Sequence, residues 1–472
     1  MTTPTPSMSE REAELGARRR PSETDARSGA SQRGGLREVL TLAYPVILTQ
    51  ISITTMQVVD SAMVGSLGAT ELAAVGLGGV WMWTAVCFFI GTGTSVQTFV
   101  SQYDGSGQRG LCGAWAWQGI YAVIPMTALA AVALFFGADL LMRGIGPSPE
   151  LQPLAADYVS ARAFGSVGLS AAVVLSSFFR GIGDTKTPLY ATVAANIVNV
   201  VLDYGLIFGH LGLPALGVQG AGAATAMAEW IYLLALLLAL RRREIRRRYV
   251  TDRVAPSLRD VRRLLRTGLP IGGQWCLEML SFAVFLSLVA RMGDAAMAAS
   301  QAFVALLGIS FMQAIGLSIA VATLVGQYIG AGDPLSVERS FRSGLKLAAI
   351  LAGAIALLFA AVPGVLLGIF TDDPEVLALG RPLLVVGAVF QLCDAFGIVA
   401  DGALRGAGDT RWPFVIRFVL SWWVFVPLAY VMGVWLGGGL TWAWVAGTVY
   451  VALLTSALLL RFRSGAWRQI QI

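Results

Sequence analysis

Long apolar runs alternate with short polar loops along almost the whole chain. Most runs exceed 20 residues, enough to cross a hydrocarbon layer of ~30 Å at ~1.5 Å per residue. The pattern predicts twelve membrane-spanning helices, over residues 38–64, 72–100, 114–136, 156–178, 188–209, 218–240, 267–291, 296–327, 345–370, 380–403, 413–433 and 440–461. Residues 1–36 are rich in Ser, Thr, Pro, Arg and Glu, and we expect them to form a disordered cytoplasmic tail.

Basic residues concentrate in alternate loops. Eleven arginines lie in residues 241–266, whereas the odd-numbered loops and their flanks offer only Arg143, Arg162, Arg291 and Arg381. Because loops rich in Arg and Lys stay on the cytoplasmic side, both termini and all even-numbered loops are predicted to be cytoplasmic. We expect a monomeric, multi-pass protein of the bacterial cytoplasmic (plasma) membrane, surrounded by lipid and without a nucleic-acid partner.

Composition narrows the function classes. Apolar residues make up 56 % of the 472 residues and charged residues only 13 %, against about 25 % charge in soluble domains. The four cysteines form no CxxC pair, and His210 is the one histidine, so neither a zinc site nor a multi-His metal site is expected. An enzyme is not expected, and the anticipated cofactor is none beyond a coupling ion.

The chain repeats itself with an offset of 225 residues. Residues 101–107 match 326–332, and residues 180–188 match 405–413. Six spans per half give both halves the same orientation in the membrane, so their symmetry axis is expected along the membrane normal. The predicted fold is an all-α polytopic membrane protein of twelve transmembrane helices in two six-helix bundles related by pseudo-two-fold symmetry. The predicted bundles cover 37–240 and 267–461, joined by a basic cytoplasmic linker, 241–266, and followed by a cytoplasmic tail, 462–472.

Four of the acids inside apolar runs stand out: Asp60, Asp203, Glu278 and Asp394. A charge at the centre of a spanning helix costs about 2.5–3.5 kcal/mol on insertion scales, so it marks a transport pathway by default. The repeat places apolar residues at the equivalent positions, so the acids break a symmetry that the loops obey. We therefore interpret these acids as functional residues of the transport pathway. The alternative is that each forms a structural hydrogen bond between helices.

Buried acids suit two coupling ions. Desolvation favours proton binding by a carboxyl group, and carboxylate, amide and hydroxyl oxygens suit sodium. Asp60, Asn199, Asp203 and Thr225 would form such an oxygen cluster, in which Asp60, Asn199 and Asp203 are the candidate sodium ligands. Glu278 and Asp394 are the candidates in the second half, and weaker candidates for a substrate cavity are Gln57, Asn196, Gln274, Gln301 and Gln391.

Other polar residues have simpler interpretations. Glu229 is intramembrane and is expected to pair across helices or to act in transport. Asp401 is expected to form a salt bridge with Arg405 at a helix end. Asp184 and Asp409 lie in Gly-Asp-Thr turns and are expected to cap the helices that follow.

The chain resembles the multidrug and toxic compound extrusion (MATE) family over residues 38–461. The resemblance rests on Tyr44-Pro45 with Asp60, on Gly105-Ser106-Gly107, and on the Gly-Asp-Thr turns after Arg180 and Arg405. It implies cation-coupled export of organic cations. Asp60 is similar to the family's first-helix acid, and the members of its ion site in the first half correspond to Asn199, Asp203 and Thr225.

In the second half the likeness is to the NorM-type branch, which is often sodium-coupled. Glu278 and Asp394 resemble its acids, but Phe390 stands where that branch often has Tyr. The resemblance leaves sodium and protons both open as the coupling ion.

Four other functions are the alternatives. A flippase for a lipid-linked precursor belongs to the same superfamily, but a basic cavity would be expected, and the intramembrane arginines are few. A narrow-substrate metabolite exporter fits the same residues. A membrane-embedded enzyme would need a His-carboxylate pair or metal cluster, and a receptor would not explain the buried acids.

Overall fold

The computed structural model describes residues 33–470, and no strand forms among them. Residues 1–32 of the predicted tail 1–36 lie outside the described residues. Residues 471 and 472 of the predicted tail 462–472 lie outside them as well. The helices are α1 (Leu36–Gly65), α2 (Ala69–Gly105), α3 (Arg109–Ile145), α4 (Leu151–Ala163), α5 (Gly165–Gly181), α6 (Lys186–Phe208), α7 (Gly217–Leu240), α8 (Arg243–Tyr249), α9 (Leu258–Ala290), α10 (Asp294–Gly330), α11 (Pro334–Ala361), α12 (Pro363–Leu367), α13 (Pro374–Gly406), α14 (Arg411–Trp435) and α15 (Gly439–Arg463).

Eleven of these helices are long and apolar enough to cross a membrane. Helices α4 and α5 meet at a bend of 46° and together make a twelfth span. The predicted all-α polytopic fold is confirmed, and each predicted run coincides with one span. Most helices extend beyond the apolar run because their polar first and last turns reach past the hydrocarbon.

Two pairs of turns preserve the internal repeat in the backbone. Gly107 and Gly332 end equivalent helices with φ values of 79° and 69°, and Gly183 and Gly408 both have φ 84°. Glycine has no Cβ and adopts this left-handed conformation at little cost. The turns therefore need glycine at both copies, which is why these loops keep their sequence while the intramembrane acids do not.

The described residues form two compact units. Unit 1 comprises Leu48–Gly272, and unit 2 comprises the residues up to Ile47 together with those from Gly273 onward. The division cuts α1 and α9 at positions 225 residues apart. The cause is packing: Val39 and Ala43 of α1 belong to the apolar core of unit 2, whereas Leu264 of α9 is fully buried and lies in unit 1.

Each unit has its own apolar core. In unit 1 a cluster of buried residues around Val64, Val159 and Val218 joins six helices, α1, α2, α3, α4, α6 and α7. In unit 2 one cluster surrounds Leu317 and Val399. These cores hold the helices that carry the acids described below.

The linker between the halves is folded onto unit 1. After α8, the Thr251 carbonyl accepts a hydrogen bond of 3.1 Å from Trp117 Nε1, and the Val254 carbonyl accepts one of 2.8 Å from the Tyr121 hydroxyl. Gln118 both donates to the Ala255 carbonyl (2.9 Å) and accepts from the backbone N–H of residue 257 (3.0 Å). The side chains of α3 thus satisfy the linker backbone, which fixes its path.

Candidate functional site

A pair of acids forms the centre of the polar site in unit 1. Asp60 lies late in α1 and Asp203 lies in α6, and their carboxyl groups are within hydrogen-bonding reach of each other. Neither carboxyl oxygen of Asp203 accepts a hydrogen bond from a protein donor within residues 33–470. Two carboxylates this close repel unless a proton or a cation lies between them. The pair is therefore a candidate site for one positive charge.

Asn199 adds an unsatisfied amide one helical turn before Asp203. Its side chain is completely buried, and both its amide oxygen and its amide nitrogen have no partner among the described residues. A buried amide without a partner costs free energy, so such groups normally bind water or a ligand. Thr225 is buried on α7, which packs against α6, and its hydroxyl donates 3.0 Å to the Ala221 carbonyl. Its oxygen keeps lone pairs for a cation.

An arginine supplies positive charge to the acids of unit 1, a pairing that was not predicted from the sequence. Arg162 at the end of α4 forms a 3.0 Å ion pair with Glu229 of α7 and donates 3.1 Å to the Tyr158 hydroxyl. It also interacts electrostatically with Asp60. Pairing across helices, one of the two expectations for Glu229, is confirmed. Arg162 thus interacts with two of the intramembrane acids, Glu229 and Asp60.

The weaker candidates of unit 1 have different environments. Asn196 donates hydrogen bonds to the carbonyl (3.0 Å) and to the hydroxyl (2.8 Å) of Ser52, which ties α6 to α1 beside the acid pair. Gln57 is exposed on α1. One candidate therefore holds the two site helices together, and the other has an accessible side chain.

In unit 2 the acids surround an arginine. Glu278 of α9 forms a 3.1 Å ion pair with Arg417 of α14, whose side chain is only 11 % exposed. Asp394 of α13 interacts electrostatically with both. This pairing was not predicted from the sequence, because the two residues are 139 positions apart. Asp394 is consequently the acid of this group without an ion pair among the described residues.

Three glutamines proposed for a substrate cavity differ in their contacts. Gln274 is buried and donates 3.3 Å to the Thr410 carbonyl. Gln391 is buried, donates 2.6 Å to the Ala352 carbonyl and accepts from the Ser310 hydroxyl. Gln301 is exposed on α10. Gln391 therefore has protein partners on both sides of its amide, as a residue that holds helices together does.

The structure tests the salt bridge and the two helix caps that were predicted for acids near helix ends. Asp401 pairs with Arg405 at 3.1 Å, as expected. Asp184 accepts from the backbone N–H (3.0 Å) and hydroxyl (2.6 Å) of Thr187, so it caps α6. The expected cap by Asp409 is wrong: its carboxylate instead pairs with Arg461 at 2.7 Å, because α15 brings a cation to it.

The candidate ion site differs from a transition-metal centre. Among residues 33–470, no group of three or more His, Cys, Asp or Glu could hold a metal ion. The oxygen set of Asp60, Asn199, Asp203 and Thr225 contains two acids, one amide and one hydroxyl. Such hard, mixed oxygen donors suit sodium or a proton.

A family comparison agrees with this geometry. The MatE family model matches residues 45–205 and again residues 270–431. The two matches begin 225 residues apart and together cover more than half of the chain. The chain belongs to the MatE family. Membership confirms the resemblance drawn from the sequence, and with it a transporter rather than an enzyme.

Relatives of this MatE chain cover nearly its full length. It is 29 % identical over 439 residues, 92 % of this chain and 93 % of the other, to "Probable multidrug resistance protein NorM" of Thermotoga maritima. A MOP superfamily transporter from Pyrococcus furiosus matches with a TM-score of 0.84 at 19 % identity, over 92 % of this chain and 97 % of its own. The eukaryotic MATE transporter AtDTX14 matches with 0.81 at 18 %, over 92 % and 96 %. The structural matches show the shared fold.

The fold explains why two ion pairs were not predicted from the sequence. Both ion pairs, Arg162 with Glu229 and Arg417 with Glu278, join helices that are distant in sequence. The sequence does contain one signal of such pairing: each arginine lies in or beside an apolar run, where an unpaired charge is costly. Such a residue predicts an acid on a neighbouring helix, although not which one.

Proposed function

We propose that this MatE protein is a secondary active multidrug exporter that exchanges organic cations for sodium ions or protons by alternating access. The observation that carries the proposal is the interaction between the carboxyl groups of Asp60 and Asp203; neither oxygen of Asp203 has a protein donor among residues 33–470. We propose that this pair binds one added positive charge. The multidrug name of the Thermotoga maritima relative supports the substrate class.

The coupling step follows from the charge of the pair. With a proton or sodium ion bound, the pair carries one negative charge; without it, two carboxylates repel in a poorly solvated site. An organic cation that enters relieves the same repulsion, so ion and substrate compete. Each elementary charge that crosses 100 mV contributes ~2.3 kcal/mol, so ion influx drives uphill export.

Asn199 and Thr225 complete the proposed ion site. The unsatisfied Asn199 amide oxygen and the Thr225 hydroxyl oxygen would serve as neutral ligands beside the two acids. For a proton they would orient water around the pair. Sodium needs these oxygens as direct ligands, so replacing them distinguishes the two ions.

In unit 2, Asp394 and Glu278 are proposed to bind ion or substrate. Arg417 neutralises Glu278 by their ion pair, so Asp394 supplies the remaining negative charge. A cationic substrate fits this arrangement, whereas an anionic lipid-linked precursor would need unpaired arginines. Arg162 and Arg417 are both paired with acids, which favours the exporter over the flippase.

The basic loops support an orientation with both termini in the cytoplasm of a bacterial cell, in its cytoplasmic membrane. In that orientation export moves substrate toward the side that carries few arginines. Small organic cations and drugs are the proposed substrates, and the proposed working form is a monomer.

Transport by reconstituted vesicles tests this function. A fluorescent organic cation is followed while a sodium gradient or a proton gradient is imposed, one at a time. We expect one gradient to drive dye movement in the wild-type protein and not in Asp60→Asn. Dye movement that is independent of both gradients would contradict the proposal. So would gradient-driven dye movement in Asp60→Asn that equals the wild-type rate.

A further inference from the structure

The fourth span of unit 1 is broken beside an arginine. Helices α4 and α5 meet at a bend of 46°, and Arg162 is the last residue but one of α4. With 13 residues, α4 is about 20 Å long at ~1.5 Å per residue, too short to cross a ~30 Å hydrocarbon layer alone. The break therefore lies within that layer. In transporters, ion and substrate sites are formed at such discontinuous helices.

A close approach between helices fixes this break against α7. At Gly165, the first residue of α5, a Cβ atom would lie 2.6 Å from the Ala226 Cα atom and would also meet the Glu229 carboxylate. Because glycine has no Cβ, the break can reach the backbone of α7 at this point. The approach brings Arg162 to its 3.0 Å ion pair with Glu229.

The packing of α1 against α4 places the same arginine near the acid pair. Val64 of α1 and Tyr158 of α4 belong to one buried cluster. Asp60 lies four residues before Val64, and Arg162 lies four residues after Tyr158, so each shares a helix face with its neighbour in the cluster. The first and fourth spans run in opposite directions, so both steps lead the same way along the two helices. Asp60 and Arg162 accordingly interact electrostatically.

Arg162 and Asp60 each have an unused hydrogen-bonding atom. Arg162 donates to Glu229 and to the Tyr158 hydroxyl (3.1 Å), but its Nε–H has no acceptor among residues 33–470. The Oδ1 atom of Asp60 has no donor within the same range. Both atoms are buried, where an unmet hydrogen bond costs free energy. A guanidinium group offers five N–H donors in a planar fork, so Arg162 can serve a second carboxylate.

The polar groups beside Asp60 give independent evidence for a ligand. Asp203 and Asn199 are completely buried. Neither carboxyl oxygen of Asp203 and neither polar atom of the Asn199 amide has a partner in the described part of the chain. Buried polar groups of this kind bind water or a ligand. A cation bound at this point therefore competes with Arg162 for the Asp60 carboxylate.

Resting on the function proposed above, we propose that Arg162 is a tethered counter-ion that competes with the bound cation for Asp60. While a cation is bound, it neutralises the acid pair, and Arg162 pairs with Glu229. When the cation leaves, Arg162 turns its free Nε–H toward Asp60 and limits the repulsion between Asp60 and Asp203. Because an arginine stays charged in proteins, it competes with sodium, protons and organic cations alike. Arg162 thereby keeps the affinity for cations low enough for release.

Binding of tetraphenylphosphonium to the purified full chain, measured by equilibrium dialysis, tests the proposal. Arg162→Gln removes the competitor, so we expect a dissociation constant about ten-fold lower than that of wild type. Glu229→Gln leaves Arg162 with Asp60 alone, so we expect a dissociation constant about ten-fold higher. Arg143→Gln, at an exposed position of α3, is the matched control and should bind as wild type does.

The double variant Arg162→Gln/Glu229→Gln separates competition from a loss of packing. It has no arginine to set free, so it should bind at least as tightly as wild type. If the ion pair only holds α4 against α7, binding is weakened in both single variants and in the double variant. Unchanged or weaker binding by Arg162→Gln, or a double variant as weak as Glu229→Gln, would overturn the proposal. The double variant contains no unpaired charge of this ion pair, so its comparison with Glu229→Gln is decisive even where Arg162→Gln is unstable.

Asp60→Asn distinguishes a failure of this inference from a failure of the proposed function. Where the acid pair binds the organic cation, Asp60→Asn weakens binding about ten-fold. If Asp60→Asn binds as tightly as wild type, the competition in the proposed function is wrong and this inference is wrong with it. If Asp60→Asn weakens binding and Arg162→Gln does not strengthen it, the proposed function stands and this inference alone is overturned.

Discussion

The Asp60 carboxyl group on α1 lies within hydrogen-bonding reach of the Asp203 carboxyl group on α6. Two helices that are distant in the sequence of the first half therefore bring two acids together at one poorly solvated point. Arg162 acts on Asp60 from a third helix. The arrangement holds two acids together, and the charge of Asp60 is offset only by an arginine that also pairs with Glu229. Whether a cation is bound therefore controls the electrostatic free energy of the acid pair.

Replacing Asp203 should abolish coupling. In Asp203→Asn the pair has one acid and no longer needs an added cation, so we expect gradient-driven dye export to fall at least ~10-fold, equivalent to ~1.4 kcal/mol. Transport in vesicles measures it. Asp157→Asn, which neutralises an exposed acid on α4, is the matched control and should export at the wild-type rate. A coupled rate unchanged in Asp203→Asn would remove that residue from the site.

The Arg162–Glu229 pair should show strong energetic coupling. Arg162→Gln leaves the Glu229 carboxylate buried without its cation, and breaking a buried pair this way costs about 3–5 kcal/mol. We expect the double variant Arg162→Gln/Glu229→Gln to melt higher than Arg162→Gln alone, because no charge is then left unpaired. Thermal unfolding in detergent measures both. Additive losses in the double variant would show that the two side chains act independently.

Gln391 should affect stability more than substrate affinity. Its amide bridges the Ser310 hydroxyl and the Ala352 carbonyl, so Gln391→Leu leaves buried groups unsatisfied and should cost about 1–3 kcal/mol. We expect a lower unfolding midpoint with little change in the substrate concentration for half-maximal transport. Gln57→Leu, at an exposed position, is the control for stability. The reverse pattern, an unchanged midpoint and weaker substrate binding, would return Gln391 to the substrate cavity.

The linker should loosen when Gly113 gains a side chain. A Cβ at this position lies 2.6 Å from the Val250 carbonyl oxygen and 2.8 Å from the Thr251 Cα atom, so Gly113→Ala must displace the linker. Trypsin should then cut the exposed arginines of residues 241–259 several-fold faster. Gly137→Ala in the same helix has no atom within 4 Å of the new Cβ and should leave the cleavage rate unchanged. Equal rates in the two variants would show that the linker does not depend on this contact.

The sequence was sufficient for the fold because the signals are local. Apolar runs of helical length define the spans, and the glycines of the repeated turns, such as Gly183 and Gly408, mark equivalent places in both halves. The intramembrane position of Asp60 and Asp203 is likewise visible in the sequence. Their proximity is not, because it depends on how α1 packs against α6.

The pairing of charges could not be predicted for the same reason. Glu278 and Arg417 each lie in an apolar run of the sequence, but only the folded chain brings them to 3.1 Å. Gln391 illustrates a second limit of prediction from sequence. A buried polar side chain in sequence indicates either a ligand or a structural hydrogen bond, and its partners on α10 and α11 are known only from the structure.

Ion displacement tests the central claim most directly. Purified protein is loaded with radioactive sodium, or placed in weakly buffered solution with a pH electrode, and tetraphenylphosphonium is added as the organic cation. If the Asp60–Asp203 pair holds the coupling ion, wild type releases sodium or protons on addition and Asp60→Asn releases neither. Equal release from Asp60→Asn, or binding of the organic cation by wild type with no release of either ion, would contradict the claim.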